Sequence, residues 1–461
     1  MKKYLPVLLL FIFPNLFAQN ITGTWSGKLK LPNGALTIVF HIDSTGQEYK
    51  TTLDSPDQGA TGIATGSTAF QDSTLTIDIP LIHASYKGTL KTDGKFYGTF
   101  MQGLPFPLEL SKGEVAKPKR PQEPQPPYSY RTEDVKFRNE KAGITLAGTL
   151  TIPQEGNKFP AVILLTGSGA QNRDEELMGH KPFLVIADYL TRNGIAVLRF
   201  DDRGTARSEG DFQNSTGFDF AADAEAALKY LRTRKEINLK NIGLLGHSEG
   251  GVTAFAIAAK KKDIAFVVSL AGTGIKGDSL MLKQAEAVSK SQGMAEAKWE
   301  KEKPALRKMY ALLAQDKNTF EIETELREEV QKAVPAAMLN NVETQKQIEN
   351  QIKTMTSPWY LYFMRHDPAT DLKRIKCPVL ALNGDKDIQV DAAINLRAIK
   401  ENIESNGNQQ VTTKVYAGLN HLFQHCRACT LNEYGQLEET ISPEVLNDIA
   451  EWIAGITSPR P

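Results

Sequence analysis

The sequence has little cysteine, no net charge and only one long apolar run. Its 461 residues include three cysteines, and 54 Lys and Arg balance 54 Asp and Glu. Three cysteines exclude a scaffold built on disulfides. The balanced charge gives no basic field that would attract nucleic acid and no net charge that would draw the chain to a membrane surface. The 41% hydrophobic and 23% charged fractions are those of a soluble globular protein.

The three cysteines also restrict what sulfur chemistry is available. Cys426 and Cys429 are three positions apart and could form a disulfide after export. A zinc site needs about four ligands, and only His425 is adjacent, so a metal centre is the weaker interpretation. Cys377 begins an apolar run, which predicts a small buried hydrophobic residue.

The one long apolar run lies at the start of the chain. Lysines at positions 2 and 3 precede an apolar run over residues 5–17, broken by Pro6, Pro14 and Asn15, and Ala18 then comes before a polar residue. A basic start, an apolar centre and a small residue at the cut point predict a secretory signal peptide over residues 1–18. A membrane anchor is the alternative, but the run is shorter than the ~20 residues that a span needs, and Pro14 interrupts it. We therefore expect a secreted or periplasmic protein with no membrane span in the mature chain.

Residues 21–112 have the pattern of an all-β unit. Alternating polar and apolar stretches are separated by turn residues, as in the stretches 24–31, 36–42, 74–79 and 86–90. About eight short strands in such a length predict a small antiparallel barrel or sandwich. Residues 113–128 follow with five prolines, which excludes a helix and predicts an extended interdomain linker.

From about residue 129 to the end, at residue 461, strand and helix patterns alternate. Apolar runs such as 161–165 and 196–200 are typical of strands buried on both faces, and amphipathic helical stretches follow them. This alternation predicts an α/β fold with a mostly parallel sheet flanked by helices. Charged helical patterns interrupt it at about 275–366, which predicts a helical insertion of the kind that covers active sites as a cap.

One short motif in this unit carries nucleophilic chemistry. Residues 246–250 read Gly-His-Ser-Glu-Gly, the pattern of a nucleophile elbow that needs a buried strand before the serine and a helix after it. The pattern alone is common. Here the apolar residues 242–245 predict the strand, and residues 250–254 open a helix. Ser248 is the predicted nucleophile, and a strand–helix turn with an incidental serine is the alternative.

A serine hydroxyl is a poor nucleophile until a base removes its proton. In this class of fold the chain order is serine, acid, histidine. His421 follows the strand predicted at 412–416, in the kind of loop where catalytic groups gather beyond a parallel sheet. It is the predicted base. His425 is the second candidate, and His366 is expected to be structural.

The acid is expected in the loop after the strand predicted at 379–382, which offers two carboxylates. Asp387 precedes the apolar stretch 388–390, which would bury it beside the imidazole, and it is the predicted acid. Asp385 is expected to satisfy turn amides, as Asp commonly does.

An oxyanion hole needs two backbone N–H groups that face the attacked carbonyl. The predicted donors are Glu249, which follows the nucleophile, and Ser168, in a glycine-rich loop where backbone can approach a substrate closely. Near the end of the insertion, Trp359, Tyr360 and Phe363 could line an acyl or leaving-group pocket, although packing is the more common fate of such residues.

Together these motifs resemble those of bacterial α/β-hydrolases of the serine aminopeptidase-like group, especially acyl esterases with a helical cap. The resemblance spans about residues 129–461 and implies, in chain order, an oxyanion loop, a bracing loop, the nucleophile, the acid and the base. The matching stretches are 165–169, 201–204, 246–251, 382–387 and 418–421. Thr166 stands where many relatives have His, which implies a different support for the oxyanion hole. Ala206 stands where Gly is common, which affects loop shape.

The sequence therefore predicts a serine hydrolase that cleaves carboxylic esters through an acyl-enzyme, without a metal or organic cofactor. The expected substrate is a small acyl ester or a short peptide. A serine peptidase, aminopeptidase or prolyl oligopeptidase-like, is the alternative. It would need acidic groups that hold a free amine, and insertion residues such as Glu323 and Glu325 are expected to face solvent instead. A binding module, whose β unit grips a glycan or a cell-surface partner, is the third possibility.

Overall fold

The computed structural model describes residues 20–31, 34–46, 48–58, 60–113, 118–335 and 338–458. The chain divides into two compact units with their boundary between residues 116 and 117, and residues 57–59 belong to the second unit. The predicted signal peptide and residues 114–117 of the predicted linker lie outside the described residues.

The first unit is an antiparallel sheet with the strand order β4-β3-β2-β1-β9-β8-β7-β6-β5. Its strands are β1 (Gly23–Leu31), β2 (Gly34–Thr45), β3 (Glu48–Ser55), β4 (Ala60–Ala64), β5 (Thr68–Gln71), β6 (Thr74–Ile79), β7 (Ala84–Leu90), β8 (Phe96–Gln102) and β9 (Leu104–Lys112). The sheet curls until the Thr68 hydroxyl of β5 donates a 2.9 Å hydrogen bond to the Thr51 hydroxyl of β3.

Alternation along each strand gives this curled sheet one apolar face. In β6, the side chains of Leu75, Ile77 and Ile79 are buried, while those between them are exposed. The buried side chains of all the longer strands meet in one core, where the rings of Trp25 and Phe96 pack edge to face with centroids 4.6 Å apart. The predicted all-β N-terminal unit is confirmed.

The second unit is built on a mostly parallel sheet with the order β10-β11-β13-β12-β14-β15-β16-β17. Its strands are β10 (Tyr130–Asn139), β11 (Ile144–Pro153), β12 (Phe159–Leu165), β13 (Ala196–Phe200), β14 (Ile237–His247), β15 (Val267–Leu270), β16 (Val379–Gly384) and β17 (Val411–Tyr416). The hairpin of β10 and β11 is antiparallel, and every pair from β13 to β17 is parallel. The predicted α/β architecture is confirmed.

Helices cover both faces of this sheet. In chain order, the helices of this unit are α1 (Pro182–Arg192), α2 (Gly217–Leu231), α3 (Glu249–Lys260), α4 (Gly277–Ser291), α5 (Glu296–Leu313), α6 (Thr319–Ala333), α7 (Val342–Met355), α8 (Pro358–Arg365), α9 (Pro368–Leu372), α10 (Ala392–Glu404), α11 (Leu431–Tyr434) and α12 (Pro443–Thr457). Successive side chains of β12 explain the layering: Val162 and Leu164 pack with α1 and α12, while Ile163 and Leu165 pack with α2, α3 and α10.

Helices α4 to α8 lie between β15 and β16, in the segment where the sequence predicts an insertion. Each is polar on one side and contributes an apolar stripe to a core that belongs to these helices, with Leu313, Ile322, Leu326 and Met364 at its centre. The charged sides carry ion pairs, such as Lys308–Glu329 and Arg327–Glu349. The sequence of this segment is therefore rich in charge although its helices share an apolar core.

The described part of the predicted linker is attached to the second unit. Residues 118–128 contain no helix or strand. The Arg120 guanidinium donates hydrogen bonds of 2.7–2.9 Å to three carbonyl oxygens, those of Gly179, Gly435 and Leu437. The Gln122 side chain accepts from the backbone N–H of Thr440 at 2.6 Å. Proline keeps the backbone extended, and these two side chains fasten it.

Cys426 and Cys429 form a disulfide, and Cys377 is a free, half-buried thiol whose pKa burial raises to about 12. Among the described residues, one group of metal-ligand types lies close together, these two paired cysteines with Glu433. None of the helices described here is both long enough and apolar enough to cross a membrane.

Candidate active site

Ser248 occupies a sharp turn between β14 and α3. Its φ is 53°, a conformation that non-glycine residues rarely adopt and that active sites often hold. The Ser248 N–H donates to the carbonyl oxygen of Leu270 at 2.8 Å. The flanking glycines are needed because a Cβ on Gly246 would lie 2.1 Å from the backbone of Gly250, and one on Gly250 would lie 2.1 Å from the Leu165 oxygen. The turn leaves Ser248 partly exposed.

Asp387 and His421 are joined directly. His421 Nδ1 lies 2.7 Å from Asp387 Oδ2, and the Asp387 side chain is fully buried. The other carboxylate oxygen accepts from the backbone N–H groups of Gln389 and Val390, both at 2.8 Å. Because the carboxylate can only accept, Nδ1 carries the proton and Nε2 is left as a proton acceptor. This is the orientation that a general base needs.

Ser248 and His421 both line a cavity of about 330 Å³. The loop Gly167-Ser168 lines it on another side. The insertion contributes six lining residues, and none of them is a carboxylate or a cation: Leu280, Met281, Gln284, Trp359, Tyr360 and Phe363. Apolar side chains therefore predominate on the side of the insertion, whereas polar side chains such as Gln171, His247 and Gln389 help to line the rest of the cavity.

The predicted oxyanion loop is held by two acids, Asp202 and the buried Glu175. The Thr166 hydroxyl donates to Asp202 at 2.8 Å, and the Gly167 N–H donates to Glu175 Oε1 at 2.7 Å. Thr166, the position that departs from the family pattern, thus anchors the loop to the predicted bracing segment. Ser168 lies on the cavity wall, and Glu249 is the first residue of α3, so both predicted donors border the space in front of Ser248.

The Glu249 side chain reaches the insertion. The indole N–H of Trp359 donates to both carboxylate oxygens of Glu249, at 2.8 and 3.0 Å. Burial raises the pKa of Glu249, and the hydrogen bonds from Trp359 and Ser168 oppose that shift. The Trp359 ring stacks on Phe363 with centroids 6.1 Å apart and meets Tyr360 edge to face at 5.7 Å.

Two polar residues of the site were not singled out from the sequence. His247 Nδ1 lies 2.9 Å from Glu175 Oε1, and His247 Nε2 lies 3.1 Å from the carbonyl oxygen of His421. Both side chains are buried. The position of His247 beside the nucleophile was the one available signal, and nothing local marks Glu175.

The alternative candidates lie elsewhere. His425 pairs with Glu439 at 2.9 Å, and its side chain is 64% exposed. His366 lies 3.1 Å from Asp371. The Asp385 carboxylate accepts from the backbone N–H of Gly418 at 2.7 Å, which is the turn role expected of it. None of these three candidates lines the cavity that Ser248 shares with His421.

The acids of the insertion that a peptidase would need are also away from the cavity. Glu323 accepts a hydrogen bond from the Thr356 hydroxyl at 3.1 Å, and Glu325 pairs with Lys317 at 2.6 Å. Neither lines the cavity.

Comparison with known proteins gives one family match and a set of relatives. The profile of the family described as serine aminopeptidase, S33, matches residues 181–425. Esterase EstD of Thermotoga maritima is 26% identical over 370 residues, which cover 79% of this chain and 75% of EstD. Among solved structures, the Pyrococcus furiosus esterase Pf2001 aligns at 15% identity with a TM-score of 0.45, covering 75% of this chain and all of that one. Est1E from Butyrivibrio proteoclasticus, bound to ferulic acid, aligns at 16% identity with a TM-score of 0.41, covering 70% of this chain and 96% of that one.

Proposed function

Because the chain belongs to the serine aminopeptidase S33 family, we propose that it is a serine hydrolase. In this proposal it cleaves carboxylic esters with Ser248, His421 and Asp387. The observation that carries the proposal is the buried hydrogen bond between Asp387 and His421. His421 lines the same cavity as Ser248, which lies in a turn with a positive φ. The similarity to Esterase EstD supports an ester as substrate.

The reaction follows from the geometry. The Ser248 hydroxyl attacks the ester carbonyl while His421 Nε2 takes its proton, and Asp387 stabilises the imidazolium that forms. The proton then passes to the leaving alcohol. A water molecule, deprotonated by His421, attacks the acyl-enzyme and releases the acid. The backbone N–H groups of Ser168 and Glu249 stabilise the oxyanion in both steps, and such donors contribute roughly 10²–10³-fold each to kcat. No step requires a cofactor.

Helices α4 to α8 act as the cap in this proposal. Their apolar residues close one side of the cavity, and the Glu249–Trp359 hydrogen bonds join the cap to the residue next to the nucleophile. Trp359, Tyr360 and Phe363 form the wall against which an acyl or leaving group packs. Such closure excludes water, which strengthens the electrostatic interactions inside.

An aminopeptidase on the same machinery is the competing function, because the family carries that name. A free amine would need an unoccupied carboxylate in the cavity. The cap supplies none. Of the two glutamates that line the cavity, Glu249 accepts from Trp359 with both oxygens, and Glu175 is paired with His247 through Oε1 while its other oxygen is buried. These observations favour a neutral acyl ester as the small-molecule substrate.

Export is part of the proposal. Residues 1–18 carry the signal-peptide pattern, and the disulfide between Cys426 and Cys429 is of the kind that persists outside the cytosol. Sequencing the N-terminus of the protein recovered from the periplasm or medium tests this. An intact Met1 on all recovered protein would contradict it.

Fluorophosphonate labelling followed by peptide mapping tests the nucleophile. The label should be found on Ser248 and be absent from Ser248→Ala, which should also lose turnover of short p-nitrophenyl esters. Turnover by Ser248→Ala would refute the assignment. Comparing these esters with aminoacyl nitroanilides decides between the two functions, and faster hydrolysis of the anilides would exclude the esterase.

A further inference from the structure

The residue before the nucleophile, His247, connects two loops on either side of it. Its Nδ1 is bonded to Glu175 Oε1, the same atom that accepts the N–H of Gly167 in the oxyanion loop. Its Nε2 is bonded to the carbonyl oxygen of His421. Its ring also lies against the His421 ring, with centroids 4.8 Å apart. The His247 imidazole is thus linked to the Gly167 N–H through Glu175 and directly to the backbone carbonyl of His421.

The two partners of His247 fix its protonation. Carbonyl oxygens can only accept, and so can an ionised carboxylate. Both hydrogen bonds of His247 are therefore satisfied together only when it donates from both ring nitrogens, which is the imidazolium form. Burial by itself lowers the pKa of His247, but the charge and hydrogen bond of Glu175, the hydrogen bond to His421 and the charge of Asp387 together raise it. The titratable groups that face the ring are Glu175, Asp387 and His421.

The surroundings are built tightly around this pair. A Cβ on Gly167 would lie 3.2 Å from Glu175 Oε1, 3.4 Å from His247 Nδ1 and 3.4 Å from Ser248 Cβ, so the oxyanion loop packs directly on both partners. Glu175 itself has a φ of 50°, a conformation that persists where the surroundings enforce it. Its second oxygen has no hydrogen-bond partner among the described residues, so Oε1 makes both bonds.

We propose that Glu175 and His247 are positioning residues, a buried ion pair that holds the oxyanion loop, residues 165–169, and the loop that carries His421 at matched distances from Ser248. The proposal rests on the proposed function, because it assigns a role in the same reaction. The pair acts through backbone atoms of Gly167 and His421 and takes no part in proton transfer. Displacing either loop by a fraction of an ångström would weaken transition-state contacts more than substrate binding.

Glu175→Gln tests the pair with the smallest change in shape. The amide oxygen can still accept from Gly167, but without the carboxylate charge His247 becomes neutral and loses one of its two hydrogen bonds. We expect kcat for a short p-nitrophenyl ester to fall by about tenfold or more near neutral pH, while KM changes by less than about twofold.

The pH dependence separates positioning by charge from a merely structural role. In the wild-type protein the raised pKa of His247 keeps the imidazolium present until the pH passes that value, whereas in Glu175→Gln the pKa falls and the charge is lost at lower pH. The ratio of wild-type kcat to Glu175→Gln kcat should therefore grow between about pH 5 and pH 8. A ratio that is constant with pH would overturn the proposal.

The chain contains a matched control. Glu439 and His425 form a second Glu–His pair, also 2.9 Å apart, in which the His425 side chain is 64% exposed. Glu439→Gln should leave kcat and its pH profile as in the wild-type protein. An equal effect of Glu439→Gln and Glu175→Gln would refute a specific role for the buried pair.

Histidine ring NMR on full-length Ser248→Ala gives a readout that does not depend on a folded Glu175 variant. His247, assigned by its absence in His247→Gln, should show a doubly protonated ring at pH 7.5, about one unit above the ordinary value for histidine. A neutral ring would overturn the proposal. If Ser248→Ala kept its activity, the proposed function would fail instead, so the two failures are distinguishable.

Discussion

At the scale of single residues, two aspartates of one loop have separate tasks. The Asp387 carboxylate is fully buried on His421, whereas that of Asp385 accepts from the Gly418 N–H. Asp387→Asn should lower kcat by about 10⁴-fold, because an amide cannot hold the imidazole with its proton on Nδ1. Asp385→Asn keeps its accepting oxygen and should change kcat by less than about twofold. Steady-state kinetics on a p-nitrophenyl ester checks both, and similar losses in the two variants would contradict the assignment of the acid.

His180 makes the stability of the second unit depend on pH. The buried ring bonds to the Tyr434 carbonyl oxygen through Nε2 and to the Thr440 hydroxyl through Nδ1, both at 2.9 Å, which suits the neutral form. Burial first, then the charge of Arg120, lowers its pKa from 6.5 to about 4. The unfolded chain takes up this proton at higher pH than the folded one. The free energy of unfolding should therefore fall by up to ~3 kcal/mol as the pH drops from about 6.5 to about 4.

Urea unfolding at pH 7 and pH 4.5 measures that loss. The glutamine variant His180→Gln should show a smaller difference between the two pH values than the wild-type protein, and His83→Asn, at an exposed position of the first unit, should show the same difference. Identical pH dependence in all three proteins would rule out His180 as the cause.

Site residues could be predicted from the sequence only where a local pattern marks them. Ser248, Asp387 and His421 each sit in a short motif that marks the end of a strand, so they could be selected one by one. Glu175 lies in an acidic stretch with no such pattern, and His247 fills a variable position of its motif. Only the folded chain brings residues 175 and 247 to 2.9 Å.

At the scale of elements, the joint between α3 and α8 should control substrate binding. Trp359→Phe keeps an aromatic ring beside Phe363 but removes the N–H that both Glu249 oxygens accept. A lost hydrogen bond to a buried acidic group costs about 1–3 kcal/mol. We expect KM for a short ester to rise about tenfold while kcat changes little, as measured by initial rates.

Trp299 provides the control for that substitution. It is fully buried in the insertion, and its indole N–H has no hydrogen-bond partner among the residues that the structure describes. Trp299→Phe removes the same group without breaking a bond, so KM should stay within about twofold of the wild-type value. Equal KM values for the two variants would show that the Glu249 contact has no kinetic role.

Element boundaries could be predicted where burial is uniform. All five residues of β13, Ala196–Phe200, are buried, and the sequence prediction has the same bounds. The sequence marks only 242–245 of β14, whereas the strand begins at Ile237. Residues 238–241 are polar or exposed, and the register with β12 shifts there. Pairing with β12 extends the strand, and such pairing leaves no trace in the hydrophobic periodicity of the sequence.

At the scale of the whole molecule, every proposed catalytic residue belongs to the second unit. A chain of residues 117–461 should therefore keep the kcat of the full protein. A chain of residues 129–461 loses Arg120 and Gln122, whose side chains fasten backbone near residues 179 and 435–441. We expect it to be less stable by about 2–4 kcal/mol. Kinetics and thermal inactivation of the two truncated chains check this, and equal stability would mean that the segment 118–128 is dispensable.

The positive φ of Ser248 should lower the thermal stability of the protein. A φ of 53° is awkward for serine and easy for glycine, and holding a side chain there costs about 1–3 kcal/mol. Ser248→Gly should therefore survive heating better than Ser248→Ala, which keeps a Cβ, and better than the wild-type protein, as scanning calorimetry would record. If the glycine variant melted no higher than the alanine variant, this would be wrong. With Ser248 as the proposed nucleophile, the same turn that presents its hydroxyl would give the protein a lower melting temperature than its inactive glycine variant.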